Sequence, residues 1–199
     1  MKVDSLLTKR NFSDFKEKQY LSNGDISRIL CSPLLRILRQ NKSIPDLFCE
    51  MTNKLSKFFS ISKAVLVIRN HNKMTLGVMA IWDNFQFQNG LTLILPKENS
   101  FLYEIFKTGR IKSLPIFSRV PGNLIENKIL VNKSDSALVV CPMISEDMIR
   151  GLISFSSPVP YAFEMIEEEY LGTIFDMFGR VLSDDYNRKN KKINVERET

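Results

Sequence analysis

The stretch Ser136–Ser157, SALVVCPMISEDMIRGLISFSS, constrains the fold more tightly than any other part of the chain. Two apolar runs, Ala137–Met143 and Met148–Phe155, flank the polar Ser145-Glu146-Asp147, which is the pattern of an antiparallel hairpin. The first run is apolar on both faces: Ala137, Val139 and Cys141 alternate with Leu138 and Val140. Such a strand needs cover on both sides of its sheet. In the second run, Ile149, Gly151, Ile153 and Phe155 share one face, and Met148, Arg150, Leu152 and Ser154 share the other. The missing side chain of Gly151 leaves room for a close helix or a ligand. A central sheet between two layers follows.

The remaining elements can be placed around this hairpin. Ser43-Ile44-Pro45-Asp46 is a helix start, since Ser43 can cap free amides and Pro45 loses no internal bond in the first turn. The apolar stripe Leu47, Phe48, Met51, Leu55, Phe58 and Phe59 carries the expected helix to about Phe59. Residues 64–70 read as a strand, 71–73 as a turn, and Met74–Trp82 as the hairpin partner. A connection over Asp83–Gly90 leads to a third strand at Leu91–Leu95. Asn99 or Ser100 caps a helix to Thr108, Gly109 ends it, and Arg110–Leu114 is a fourth strand.

Pro115–Ser134 is irregular apart from a short helix around Leu124–Leu130, and a binding loop is expected there. Pro158 and Pro160 end the last strand. Phe163, Ile166, Tyr170, Ile174, Met177 and Val181 recur at spacings of three and four, giving an amphipathic helix to about Leu182. Met165, Leu171, Phe175 and Phe178 widen its apolar stripe, so it is expected to touch the sheet and also a second copy of the chain.

The 199 residues, 44% of them hydrophobic, suffice for one core plus an appendage. The expected division is a helical extension over 1–42, a domain over 43–183 and a polar tail over 184–199. Cys31, Cys49 and Cys141 lack Cys-x-x-Cys spacing and lie in apolar runs, as thiols of a reducing compartment do. The start, MKVDSLLTKRNFSDFKEK, shows neither a secretory signal nor a membrane span, so the cytoplasm is expected.

The net charge of +6 is moderate. Between positions 107 and 133, Lys107, Arg110, Lys112, Arg119, Lys128 and Lys133 stand against Glu126 alone, a surplus that suits a solvated face or an anionic ligand. No nucleic-acid recognition motif accompanies it. His71 is the only histidine and has no carboxylate or cysteine cluster beside it, so neither a metal site nor a nucleophile–base pair is expected around it. No catalytic residues are identified, and the sequence leaves the cofactor unknown.

The order of elements resembles the GAF domain family of small-molecule sensory and regulatory modules over Ser43–Leu182. Phe101–Leu114 is similar to that family's helix, TGR-type turn (Thr108-Gly109-Arg110) and short strand, and Ser136–Phe155 to its central pair of strands with a glycine at Gly151. The resemblance implies an α+β fold: a six-stranded antiparallel sheet with the terminal helices on one face and a ligand pocket under the middle helices on the other. It also implies a non-enzymatic module that binds a small molecule and signals through its terminal helices or a partner protein. The alternative is a ligand-free dimerisation or scaffold module.

The pocket residues expected from position are Trp82, Phe101, Phe117, Arg119, Asn123, Met143 and Ser154. The homodimer residues are Phe163, Ile166, Tyr170, Ile174, Met177 and Val181. The family's cyclic-nucleotide signature has no equivalent around Phe163–Glu169. Its free-methionine-sulfoxide reductases need reactive cysteines about a pocket, and in the second half of this domain the chain offers Cys141 alone.

Overall fold

The computed structural model describes residues 33–34, 36–40, 42–70, 74–164 and 168–198. Six strands form one antiparallel sheet in the order β3-β2-β1-β6-β5-β4. They are β1 (Lys63–Asn70), β2 (Thr75–Asp83), β3 (Gln86–Ile94), β4 (Lys112–Leu114), β5 (Ala137–Ser145) and β6 (Met148–Ser157). Among the described residues, the helices packed on it include α1 (Ile44–Leu55), α2 (Phe101–Thr108), α3 (Leu124–Leu130) and α4 (Glu168–Glu198). The α+β architecture with helices on both faces of the sheet is as the sequence led us to expect.

Strand alternation sorts the core into two layers. Leu66, Ala80, Trp82, Val139, Cys141, Ile153 and Phe155 meet Leu47, Phe48 and Met51 of α1 and Ile174, Phe175 and Phe178 of α4. On the opposite face, Val65, Val67, Val78, Leu138, Val140 and Leu152 meet Phe101, Leu102 and Ile105 of α2 and Ile129 and Leu130 of α3.

α1 starts as its sequence dictates. The Ser43 hydroxyl accepts from the Asp46 amide at 3.3 Å and donates to the Asp46 carboxylate at 2.5 Å. The helix stops at Leu55, earlier than the apolar stripe suggested, and Phe58 is left exposed beyond the turn. Two further differences lie in the sheet. The expected connection over Asp83–Gly90 is mostly strand: Asn84 and Phe85 take positive φ (44° and 67°), so the chain reverses in two residues and β3 begins at Gln86. In β6, Met143 pairs with Gly151 and Ile144 with Ile149, so Arg150 is an extra residue. This bulge moves Ile149 into the α2–α3 layer.

Gly151 makes room for neither a helix nor a ligand. A Cβ there would stand 2.2 Å from the Val67 carbonyl oxygen and 2.6 Å from the Met143 methyl, so the space is already filled by adjoining strands.

α4 runs well beyond Leu182, through the stretch expected to be a polar tail. It approaches the sheet closely where Gly179 crosses β5, 2.9 Å separating an ideal Cβ from the Ile144 carbonyl oxygen. Phe163 and Ile174 are buried in the chain's own core, and Met177 and Val181 pack half-buried beside them. Ile166 and the Tyr170 side chain lie outside the described residues, as do the 71–73 turn, Cys31 and most of the N-terminal extension.

Candidate functional site

The α2–α3 face is covered by two short helices whose ends are tied together by one side chain. Ser100 caps α2 by accepting from the Tyr103 amide at 3.0 Å, and Gly109 ends it in the left-handed conformation. The Tyr103 hydroxyl accepts from the Leu76 amide at 2.8 Å, which joins α2 to β2. Asn123 caps α3 by accepting from the amides of Ile125 (3.1 Å) and Glu126 (3.0 Å).

Glu126 is fully buried. Its carboxylate accepts from the amides of Phe101 (2.9 Å), Leu102 (3.1 Å) and Asn123 (3.3 Å) and from the Ser100 hydroxyl. One acidic group thus satisfies the first amides of α2 and closes the capping box of α3, with its charge at the positive end of the α2 dipole. Gly122 is required beside it, with φ at 107° and an ideal Cβ 2.2 Å from the Glu126 oxygen. The Asn127 amide donates to the carbonyls of Val120 (3.1 Å) and Asn123 (2.9 Å), fastening the loop ahead of the helix. Residue-type counting had left Glu126 as a stray negative charge; the Asn123-x-x-Glu126 spacing was the signal that identifies it.

The residues expected to line one pocket divide between the faces. Phe101 and Phe117 pack in the α2–α3 layer, Asn123 caps α3, and Arg119 is exposed on the preceding loop. Ser154 belongs to the floor of the same face: it alternates with Ile153 and Phe155 and lies opposite Val65 and Val140. It is 2% exposed, and its hydroxyl has no hydrogen-bond partner. Trp82 and Met143 are on the other side of the sheet. Trp82 pairs with Ala64 and donates its indole N–H to the Asn53 side chain on α1 at 2.9 Å, and Met143 fills the space over Gly151.

A second polar cluster fastens the other end of the cover. Asp135 accepts from the hydroxyls of Ser62 (2.6 Å) and Ser156 (2.7 Å) and from the Asn132 amide (2.7 Å). Buried Lys63 donates to the Lys128 carbonyl and the Asn132 side chain, each at 3.2 Å, and lies 3.5 Å from Asp83. Every charge in the cluster has a partner, so it anchors residues 128–136 to the ends of β1 and β6.

Both described cysteines are on the α1–α4 side. Cys141 is buried in β5, and Cys49 is half-buried on α1. Burial pushes the Cys49 thiol above its ordinary value of 9.0; the Asn53 amide pulls it down, and the Asp46 and Glu50 carboxylates raise it further. A surface hollow of about 350 Å³ is lined by Pro33, Arg36, Ile37 and Lys54, and a gap of about 10 Å³ lies between α4 and the sheet. Neither is on the α2–α3 face. Among the described residues no group of three or more His, Cys, Asp or Glu side chains could hold a metal ion, and no helix is long and apolar enough to cross a membrane.

No family model matches the sequence, and no curated protein matches it. The solved structures show the fold. The GAF domain of a phosphoenolpyruvate-protein phosphotransferase from Coxiella burnetii superposes with a TM-score of 0.67 at 12% identity, over 85% of this chain and 99% of that one. The free methionine-R-sulfoxide reductase of Neisseria meningitidis, in complex with its substrate, gives 0.65 at 11% identity, over 84% and 95%. A type II free methionine-R-sulfoxide reductase from Thermoplasma acidophilum gives 0.54 at 14%, over 71% and 93%.

The fold is GAF-like. Its neighbours divide between GAF domains of larger proteins and reductases, at similar strength. This corrects the sequence expectation of a non-enzymatic sensory or scaffold module in signal transduction, because the same resemblance extends equally to enzymes.

Proposed function

We propose that this chain takes a small organic molecule on the α2–α3 face of its sheet, and that free methionine-R-sulfoxide is the first molecule to test, as ligand and as substrate. The proposal concerns the binding step; whether chemistry follows is a separate outcome of the same experiment. Ser154 carries the reading. A buried hydroxyl without a partner costs roughly 1–3 kcal/mol, and a ligand atom reaching it would recover that energy. Glu126, Asn123 and Asp135 are engaged in holding the cover, whereas this hydroxyl, at the centre of the sheet's floor, has hydrogen-bonding capacity to offer. The neighbours include reductases named for that sulfoxide, a molecule with a strong acceptor oxygen.

The test is a methyl-region NMR titration with methionine-R-sulfoxide, followed by assay of the same sample for methionine in the presence of dithiothreitol. Saturable shifts at Val65, Val140 and Leu152, lost in Ser154→Ala, are expected. Shifts confined to the α1–α4 layer, or none, would overturn the reading. The same proposal assigns pairing of two copies to α4 at the half-buried Met177 and Val181, since Phe163 and Ile174 are wholly taken up by the chain's own core. Its setting is the cytoplasm, where an unbridged thiol such as Cys49 persists.

A further inference from the structure

The pairing of β1 with β6 runs out to Ile68 and Gly151, and the next residues outward on these strands are Arg69 and Arg150. Like charges brought side by side on adjacent strands are unfavourable. Arg150 is 8% exposed, and its Nε is buried with no hydrogen-bond partner; the Arg69 Nε is buried and unpartnered too.

What the two guanidinium groups do touch leaves them short of negative charge. Arg150 donates through Nη2 to Glu146 at 2.7 Å, a carboxylate whose side chain is 69% exposed. Arg69 donates through Nη2 to the Met74 sulfur at 2.6 Å, a weak acceptor, and lies over the Phe106 ring at 5.8 Å. No carboxylate among the described residues pairs with it. Stacking on Phe106 near the negative end of α2 accounts for where the Arg69 guanidinium sits, but it leaves Nε unsatisfied and says nothing of the second arginine.

The end of α2 adds to the same region. Phe106 lies against Arg69, and an ideal Cβ on Gly109 would meet Ile149, next to Arg150, at 3.4 Å. Exposed Lys107 and Arg110 flank these two contacts, which gives part of the basic surplus seen in the sequence a location. The carboxylates of the same hairpin's turn are Glu146, paired with Arg150, and exposed Asp147.

We infer that Arg69 and Arg150 form a binding site for an oxyanion, the phosphate or carboxylate group of a small ligand, at this end of the sheet. A guanidinium offers donors in a fixed planar fork that fits either group, and each of these arginines has an Nε–H donor left to give. The inference is independent of the α2–α3 reading, because an anion can occupy this end whether or not the face beneath the helices is occupied.

The experiment follows the arginine Nε–H signals of the full chain by NMR, with inorganic phosphate and acetate titrated in separate arms at constant ionic strength against chloride. Saturable movement of both the Arg69 and the Arg150 signals is expected, the tighter arm identifying the anion class. Arg69→Gln should weaken binding about tenfold or more, as loss of a charge-assisted hydrogen bond does. That variant is the informative one if Arg150→Gln does not fold. Signals unmoved by either anion, equal movement in chloride, or a response at one arginine alone would overturn the site.

Discussion

On the α1–α4 face the sheet is covered by helices of 12 and 31 residues, and what they bring is area: Phe48, Met51, Phe175 and Phe178 lie fully buried against Trp82 and Phe155. On the α2–α3 face the helices have 8 and 7 residues, and helices that short do not hold themselves in water. Their place is set by tertiary packing and by a few polar ties, chiefly Glu126 and Asp135. The difference teaches where each face is vulnerable. Removing apolar volume damages the first face, whereas cutting one carboxylate loosens the second with the rest of the fold intact.

The comparison can be broken most forcefully at Trp82. Trp82→Ala should lower stability by about 3–5 kcal/mol in urea unfolding, because it removes a fully buried indole and leaves Asn53 without its donor. A loss below about 1 kcal/mol would mean that area does not hold this face. Glu126→Ala should lower global stability by about 1–3 kcal/mol and accelerate exchange of α2 and α3 amides while sparing α1. Equal acceleration on both faces would contradict the division. Ser154→Ala should raise stability, by up to about 1–3 kcal/mol, since it deletes a buried hydroxyl without a partner; a loss would show the hydroxyl to be engaged.

The smallest effect concerns Cys49. With its thiol raised above 9.0 in the folded state, the unfolded chain loses that proton first as pH climbs. Its contribution is therefore fully present below 9.0 and declines above it. Its alkylation near pH 8 should be slower in the folded protein than in urea, and a faster reaction in the folded state would refute the assignment.

Much of this was legible in the chain. The two-sided apolar run Ala137–Met143 required two layers, and the Ser43 and Ser100 caps and Gly109 bounded their helices correctly. The two-residue turn at Asn84–Phe85 was not legible, because neither residue is the glycine that usually marks a left-handed reversal, and an exposed Phe85 is held by an edge-on contact with Trp82 at 5.1 Å. The site was read less well than the fold. Periodicity places residues on a face only when the register is known, and the Arg150 bulge changes that parity within β6. Position in the chain groups Trp82 and Met143 with Phe101 and Asn123, while their parity with Ala80 and Cys141 puts them on the α1–α4 face. The Asn123-x-x-Glu126 spacing marks the cap of α3, but Glu126 also holds Phe101, 25 residues away, and Asp135 holds Ser62, 73 residues away, and no local pattern contains such distances.

Residue-resolved native-state hydrogen exchange tests the central claim most directly, since it reports the opening free energy of each face in one sample. The amides of Ile129 and Leu130 should open at a free energy well below that of Phe175 and Phe178, with their exchange accelerated selectively in Glu126→Ala. Equal opening energies for these two pairs, unchanged in relative order by that substitution, would contradict the account.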